Sequence, residues 1–394
     1  AQARVGIGRC KATWRRKKRG GGRGNAGAGR GGRGHSQQDN RQPIGQAPGV
    51  IKRGEKQRPG RGRGAQGRGH ASAQRQKSGR AGKKGGQKVF IAVVTEVSQD
   101  SIRRLQEIPK AHTNAIMSVV FTPEFVYTAS RDKTLKKWRA VRTSAGFELK
   151  EELEVPLGEQ CLCMLSVGDW LFCGMNDGKV KGFRPGKELV VEAHAKKCSA
   201  LLMHANVLLS GGSDGVVKCW QMDEASQQLQ CTHQIIDGIP GHVSGLAVLE
   251  DHLWVGGSSG VSVVELASLR VVHKIPPVRN VTGLMVYEGH MIVVYGDGSA
   301  AIFDKGGNQK HTQPPMPAGP VLDIAGLECG PRLLCGHAKG QITAVTLPMF
   351  QVSTYWQAFE RCKAQCIACV PGPDGIFVVG AENGSLQLWQ KVAA

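Results

Sequence analysis

Two pentapeptides carry the residue types of an activated nucleophile: Gly211–Gly215 (GGSDG) and Gly256–Gly260 (GGSSG) both fit G-x-S-x-G. That motif works only when a strand, a sharp turn and then a helix lift the serine clear of the backbone. Here both copies lead into a further alternating apolar run, so the match is a by-product of a repeated turn. No Gly-Lys pair is followed by Ser or Thr, and no HExxH is present, which removes the phosphate loop and the zinc protease helix. Among the 12 cysteines, Cys161-x-Cys163 and Cys362-x3-Cys366-x2-Cys369 invite a thiolate-metal reading. Cys366 and Cys369 are three apart on a β-type run and so point to opposite faces, and the cysteines read as small apolar core residues. The chain is expected to be non-enzymatic, without metal or cofactor.

A different spacing does repeat. In residues 192–220, His194 precedes an alternating apolar run, a second run ends at Ser210, a tight turn is centred on Asp214 and Gly215, and a third run stops at Trp220. The turn recurs at Asp132-Lys133, Asp177-Gly178, Asp214-Gly215, Ser259-Gly260, Asp297-Gly298, Lys339-Gly340 and Asn383-Gly384, at intervals of 37 to 45 residues. Short runs at that period, separated by turn signals, are the mark of a propeller, in which one unit cannot bury its own faces. The fifth residue after each turn reads Trp138, Phe183, Trp220, Glu265, Phe303, Val345 and Trp389. Glu265 and Val345 mark degenerate units, and the bond network around Glu265 is expected to be incomplete.

These residues resemble the WD repeat. The resemblance implies an all-β, seven-bladed β-propeller and a structural hydrogen-bond network within a blade. That network falls on His194, Ser210, Asp214 and Trp220 in one blade and on His112, Thr128, Asp132 and Trp138 in another. The family closes its ring by pairing an N-terminal strand with the last repeat. The run KVFIAVVTEV, residues 88–97, is expected to do so, because the last repeat supplies three strands and lacks the fourth. The Pro-rich stretch Gln313–Pro320 is expected as a surface loop.

The charge map separates the chain into two parts. Residues 1–88 hold 25 of the 52 Lys and Arg with only Asp39 and Glu55 as acids, a charge of +23, while the remainder is near neutral. Residues 1–87 contain one aromatic, Trp14, and 23 glycines, so burial cannot offset the roughly 1–2 kcal/mol per residue that ordering a backbone costs. They are expected to form a disordered, basic Gly/Arg-rich tail, with the propeller spanning 88–394. Arg19, Arg23, Arg30, Arg33, Arg53, Arg61, Arg63 and Arg68 are each followed by Gly, and Arg19 and Arg30 open full RGG triplets. A guanidinium can bridge phosphates and stack on bases while Gly lets the backbone follow an irregular strand, which points to RNA. The alternatives are a tail that only targets or solubilises, including a nuclear run at Arg15–Arg19, or an incorrect gene start. No apolar run approaches 18 residues and no secretory segment is visible, so a nuclear or cytoplasmic protein without membrane contact is expected.

The order of strong and weak units, with LPMF after the sixth and the glycine-proline turn before GIFVVG, is similar to the WD-repeat half of plant-type proteins that join CCCH zinc fingers to a propeller. The finger itself is not matched: Cys10 has no suitably spaced partners, so zinc binding is not implied. The expected function is an interaction scaffold that binds proteins through its propeller and RNA through its tail. The rival is a ubiquitin-ligase substrate receptor or signalling scaffold whose tail serves only for nuclear entry.

Overall fold

In a computed structural model, the residues described are 5–6, 101–144, 146–223, 225–276 and 279–392. The chain divides into two units, Ala1–Thr13 with Val94–Ala394 and Trp14–Val93, the second of which lies outside the described residues. Every regular element of the described part is a strand. A two-residue strand, β1 (Val5–Gly6), pairs antiparallel with Tyr287 and Val286.

The rest form seven antiparallel sheets of four strands, six of them consecutive in sequence. The closing strand is β2 (Ser101–Ile108). Blade 1 is β3–β6 (Ile116–Phe121, Phe125–Ser130, Thr134–Thr143, Gly146–Pro156) and blade 2 is β7–β10 (Cys161–Val167, Trp170–Met175, Lys179–Arg184, Lys187–Glu192). Blade 3 is β11–β14 (Cys198–His204, Val207–Gly212, Val217–Met222, Leu229–Ile235) and blade 4 is β15–β18 (Val243–Leu249, His252–Gly257, Gly260–Glu265, Arg270–Ile275). Blade 5 is β19–β22 (Val281–Tyr287, His290–Tyr295, Ala300–Phe303, Gln309–Gln313) and blade 6 is β23–β26 (Val321–Leu327, Arg332–His337, Gln341–Thr346, Gln351–Gln357). Blade 7 takes β27–β29 (Ala364–Cys369, Ile376–Ala381, Leu386–Val392) from the C-terminal end and β2 as its outer strand. The fold is thus an all-β, seven-bladed propeller.

The closing strand corrects the sequence expectation. Residues 88–97 lie outside the described part, and their expected place beside β29 is held by Ser101–Ile108, paired from Ser101 opposite Val392 to Ile108 opposite Leu386. An outer strand is half solvated, so it needs alternation rather than a continuous apolar run. Ile102, Leu105 and Ile108 turn inward while Arg103, Arg104 and Glu107 are exposed, which suits that place. Gln106 extends the closure to blade 1, its amide accepting the N–H of Leu149 at 2.7 Å and donating to the Leu149 carbonyl at 3.1 Å. The stretch Gln313–Pro320 is not wholly surface either, because Met316 is buried in the core between blades 5 and 6.

Strands that pair in sequence bury their faces against the next blade, so the core is a series of inter-blade clusters. A small residue is needed where the second strand of one blade meets the first strand of the next. A Cβ on Gly211 would lie 2.4 Å from Val243 Cγ1, and one on Gly380 would lie 2.8 Å from Ile116 Cβ. The first strand of every blade also has a β-bulge at its start, which re-aims one side chain toward the neighbouring blade. The result is a closed belt of side-chain-to-backbone bonds across all seven joints. Ser118 Oγ accepts Met164 N–H at 3.1 Å, and Cys163 Sγ faces the Cys198 carbonyl at 3.8 Å. Ser199, Ser244 and Thr282 donate to the carbonyls of Val243, Val281 and Val321 at 2.5, 2.6 and 3.3 Å. Asp323 Oδ2 accepts Ile367 N–H at 2.9 Å, and Cys366 Sγ donates to the Ile116 carbonyl at 3.3 Å.

Candidate interaction face and its blade networks

The turns between the second and third strands, and the loops that lead from one blade into the next, share one face of the propeller. In blade 1, His112 sits in the loop before β3, Thr128 is on β4, Asp132 is in the following turn and Trp138 is on β5. Thr128 Oγ1 lies 2.8 Å from both His112 Nε2 and Trp138 Nε1, and His112 Nδ1 lies 3.0 Å from Asp132 Oδ2. Blade 3 repeats the arrangement: Ser210 Oγ lies 2.8 Å from His194 Nε2 and from Trp220 Nε1, and His194 Nδ1 lies 3.1 Å from Asp214 Oδ1. An indole N–H can only donate and a carboxylate can only accept. The chain of bonds therefore runs one way, from Trp N–H to the hydroxyl oxygen, from the hydroxyl to His Nε2, and from His Nδ1–H to Asp.

Burial, opposed mainly by the Asp partner, keeps both histidines below the ordinary imidazole value, consistent with that neutral tautomer. Burial alone would raise the Asp132 carboxyl, but bonds from Thr134, His112 and the Thr113 backbone hold it below the usual range. Ser210, His194 and Asp214 copy the order of groups in a charge-relay triad. Ser210 nonetheless has no exposed surface, and its oxygen already accepts the Trp220 indole, so a substrate carbonyl cannot reach it. The geometry fastens a turn to a sheet.

The paired strands show why the other blades lack this network. The place of Thr128 and Ser210 is taken by Cys173, Val255, Val293, Cys335 and Val379 in blades 2, 4, 5, 6 and 7. In blade 4 the turn is one residue shorter, with Gly257 opposite Gly260, so the residue in the place of Trp220 is Val264 and not Glu265. Glu265 instead accepts the Ser268 hydroxyl at 2.7 Å. The blade's aromatic comes from Trp254 on β16, fully buried against Phe303 of blade 5, and its indole N–H has no hydrogen-bond partner among the described residues. His242, in sequence the counterpart of His194, is exposed and meets Ser213 of blade 3 at 2.7 Å.

Blade 7 uses a substitute that sequence reading missed. Trp389 Nε1 donates to Gln387 Oε1 at 3.0 Å, and Gln387 Nε2 donates to the Ala358 carbonyl at 2.8 Å. Gln387 therefore spans the gap that histidine spans elsewhere, from the position where blades 1 and 3 carry Lys136 and Lys218. The only sequence signal was a glutamine two residues before the tryptophan of a blade with no histidine.

Four cations on this face are paired with acids: Lys133 with Glu159, Lys179 with Asp177, Arg279 with Asp297 and Lys363 with Glu382. Lys110, Arg131, Lys196, Lys197, Lys339 and Arg361 are exposed and take part in no ion pair among the described residues. A cleft of about 370 Å³ opens at the closure, lined by Arg104, Glu107, Gln357, Phe359, Asn383 and Ser385 among others. No group of three or more metal-ligating side chains occurs among the described residues. Arg19, Arg23, Arg30, Arg33, Arg53, Arg61, Arg63 and Arg68 all lie outside them.

The model of the family "WD domain, G-beta repeat" matches residues 103–139, which is most of β2 of blade 7 together with β3, β4 and the first part of β5 of blade 1. The chain is 23% identical over 282 residues to Zinc finger CCCH domain-containing protein 17 of Oryza sativa subsp. japonica, covering 68% of this chain and 61% of that protein. It therefore spans about three-fifths of the relative's length. The crystal structure of the WD40 β-propeller domain of Doa1 superposes with a TM-score of 0.62 at 14% identity, covering 74% of this chain and 98% of that one. That likeness concerns the fold.

Proposed function

We infer that this WD-repeat propeller, an interaction scaffold for proteins, is carried onto RNA by its basic N-terminal arm. The propeller half rests on the fold and on the loop face just described. The RNA half rests on one observation: 25 of the 52 Lys and Arg lie within the first 88 residues beside only two acids, and eight of those arginines precede a glycine. A chain so composed gains affinity by displacing counterions from phosphates, so its binding weakens steeply with salt. Residues 1–87 as the arm and 88–394 as the propeller remain the proposed division.

The test is RNA binding by the full chain at increasing salt, alongside a variant with the eight Arg-Gly arginines changed to Gln. The expected result is a steep salt dependence and a loss of about a hundredfold in the variant. A flat salt response, or equal binding by the variant, overturns the arm as an RNA ligand. The second reading, a substrate receptor or signalling scaffold held in the nucleus by Arg15–Arg19, draws support from the accessible loop face. On that reading deletion of residues 1–87 leaves RNA crosslinking unchanged and moves the protein out of the nucleus.

A further inference from the structure

The turn of blade 3 and the loops on either side of it carry exposed lysines, hydroxyls and an imidazole on this face. Lys196 and Lys197 precede β11, Ser213 is in the turn, and His242 precedes β15. Backbone bonds fix this arrangement: Ser213 N–H donates to the Lys197 carbonyl at 2.8 Å, and Ser258 N–H donates to the His242 carbonyl at 3.0 Å. Ser213 Oγ lies 2.7 Å from His242 Nδ1. Gly241 brings Ser258 close as well, since a Cβ there would be 2.9 Å from its hydroxyl.

Both lysines are exposed and neither forms an ion pair among the described residues, in contrast to the paired cations of the same face. Asp214 is adjacent, but its oxygens are engaged by His194 and by the N–H groups of Ala195 and Val216. Asp237 is the other acid of the loop and is exposed to solvent. Burial, followed by the nearby Lys197 charge, holds His242 below the ordinary imidazole value. A phosphate dianion would accept from the Lys197 ammonium, the Ser213 hydroxyl and the His242 imidazole together, and would offset the Lys197 charge that disfavours protonation of His242.

We propose that Lys196, Lys197, Ser213 and His242 form a phosphate-binding site, and that its ligand is a phosphorylated serine or threonine of a partner protein. Lys196 and Lys197 are the two Lys or Arg residues of these loops, fewer than the basic track that single-stranded RNA follows. Among the described residues these loops contain no Phe, Tyr or Trp on which a base could stack. Ile236, 60% exposed in the same loop as His242, instead offers an apolar contact to a residue next to the phosphate. The site does not depend on what the N-terminal arm binds.

The test follows the His242 imidazole by NMR in the full chain, selectively labelled at histidine and assigned with His242→Gln. Inorganic phosphate at matched ionic strength is expected to raise the His242 pKa saturably, and Lys196→Ala with Lys197→Ala is expected to weaken that binding about tenfold or more. A phosphoserine peptide with an apolar neighbour should compete with phosphate for the His242 response, whereas its unphosphorylated form and an octamer of uridylate should not. The proposal is overturned by a His242 titration indifferent to phosphate, by equal responses in the lysine variant, or by displacement with the RNA and not the phosphopeptide. The thermal midpoint of the lysine variant, both positions being exposed, is expected to stay unchanged, so lost binding is not lost folding.

Discussion

Asp323 of blade 6 accepts the backbone N–H of Ile367 of blade 7 at 2.9 Å, and it supplies the one carboxyl in the belt that ties the blades together. Its other oxygen accepts Ile324 N–H at 2.9 Å, with the thiols of Cys335, Cys366 and Cys369 close by. The residue keeps some accessible surface, but both oxygens are turned onto backbone groups inside the joint. Burial outweighs the two bonds and raises the carboxyl from 3.8 to about 6.

The folded state thus holds this proton more tightly than the unfolded chain, so the contribution of Asp323 to stability is fullest below about pH 4 and is lost as pH rises through about 6. The shift corresponds to at most about 3 kcal/mol. His112 and His194, held low by burial, act in the opposite sense, since their protonation favours the unfolded chain. The difference between wild type and Asp323→Ser isolates the carboxyl, and serine is the residue blade 1 uses at Ser118. Urea midpoints from pH 4 to 7 should show the advantage of wild type over variant shrinking with rising pH. A constant difference would refute the assignment.

The blade networks predict non-additivity. Trp220→Phe removes the donor to Ser210, and Ser210→Ala strands both the indole N–H and His194 Nε2, so each should cost about 1–3 kcal/mol. The double variant should cost clearly less than the sum, because the groups share one bond. Trp254→Phe is the control: its buried N–H has no partner among the described residues, so the change loses ring volume but no bond and should cost less than Trp220→Phe. Chemical denaturation of the four variants decides the matter.

Two turns contrast the same backbone position. Gly384 has φ +84°, and a Cβ there would lie 2.1 Å from the His112 carbonyl oxygen, a clash with backbone that a side-chain rotation cannot relieve. Lys133 occupies the matching place in blade 1 at φ 69°. Gly384→Ala should lose more than about 2 kcal/mol, while Lys133→Gly, relieved of strain but deprived of an exposed ion pair with Glu159, should move by less than about 1 kcal/mol. Thermal midpoints that fall equally in both variants would contradict this account.

What the sequence made legible was whatever recurs. The turn signature of blade 3 and the aromatics at Trp138, Trp220 and Trp389 mark the turns and the strands that follow them by spacing alone, and with them seven blades. Blade 4 departs from the pattern because one residue is missing from its turn. A count from the turn then lands on Glu265, whereas strand pairing places Val264 opposite Leu253. The belt at the joints escaped notice because its groups, Ser, Thr, Cys and Asp, share no residue type, only a bulge that backbone geometry creates. Gln387 likewise has meaning only beside Ala358, 29 positions away.

Closure by Ser101–Ile108 yields the last prediction. An N-terminal strand that completes a C-terminal blade makes the ring a single cooperative unit, since without it β29 becomes an open edge and Ile102, Leu105 and Ile108 leave the core between blades 6, 7 and 1. Shortening the chain to begin at residue 98 should therefore preserve a single sharp thermal transition near that of the full chain. Beginning at residue 110 should lower the midpoint by many degrees and promote aggregation. The placement of the closing strand fails if the chain beginning at 98 is destabilised as severely as the one beginning at 110, because the run at 88–97 would then be the segment that seals the ring.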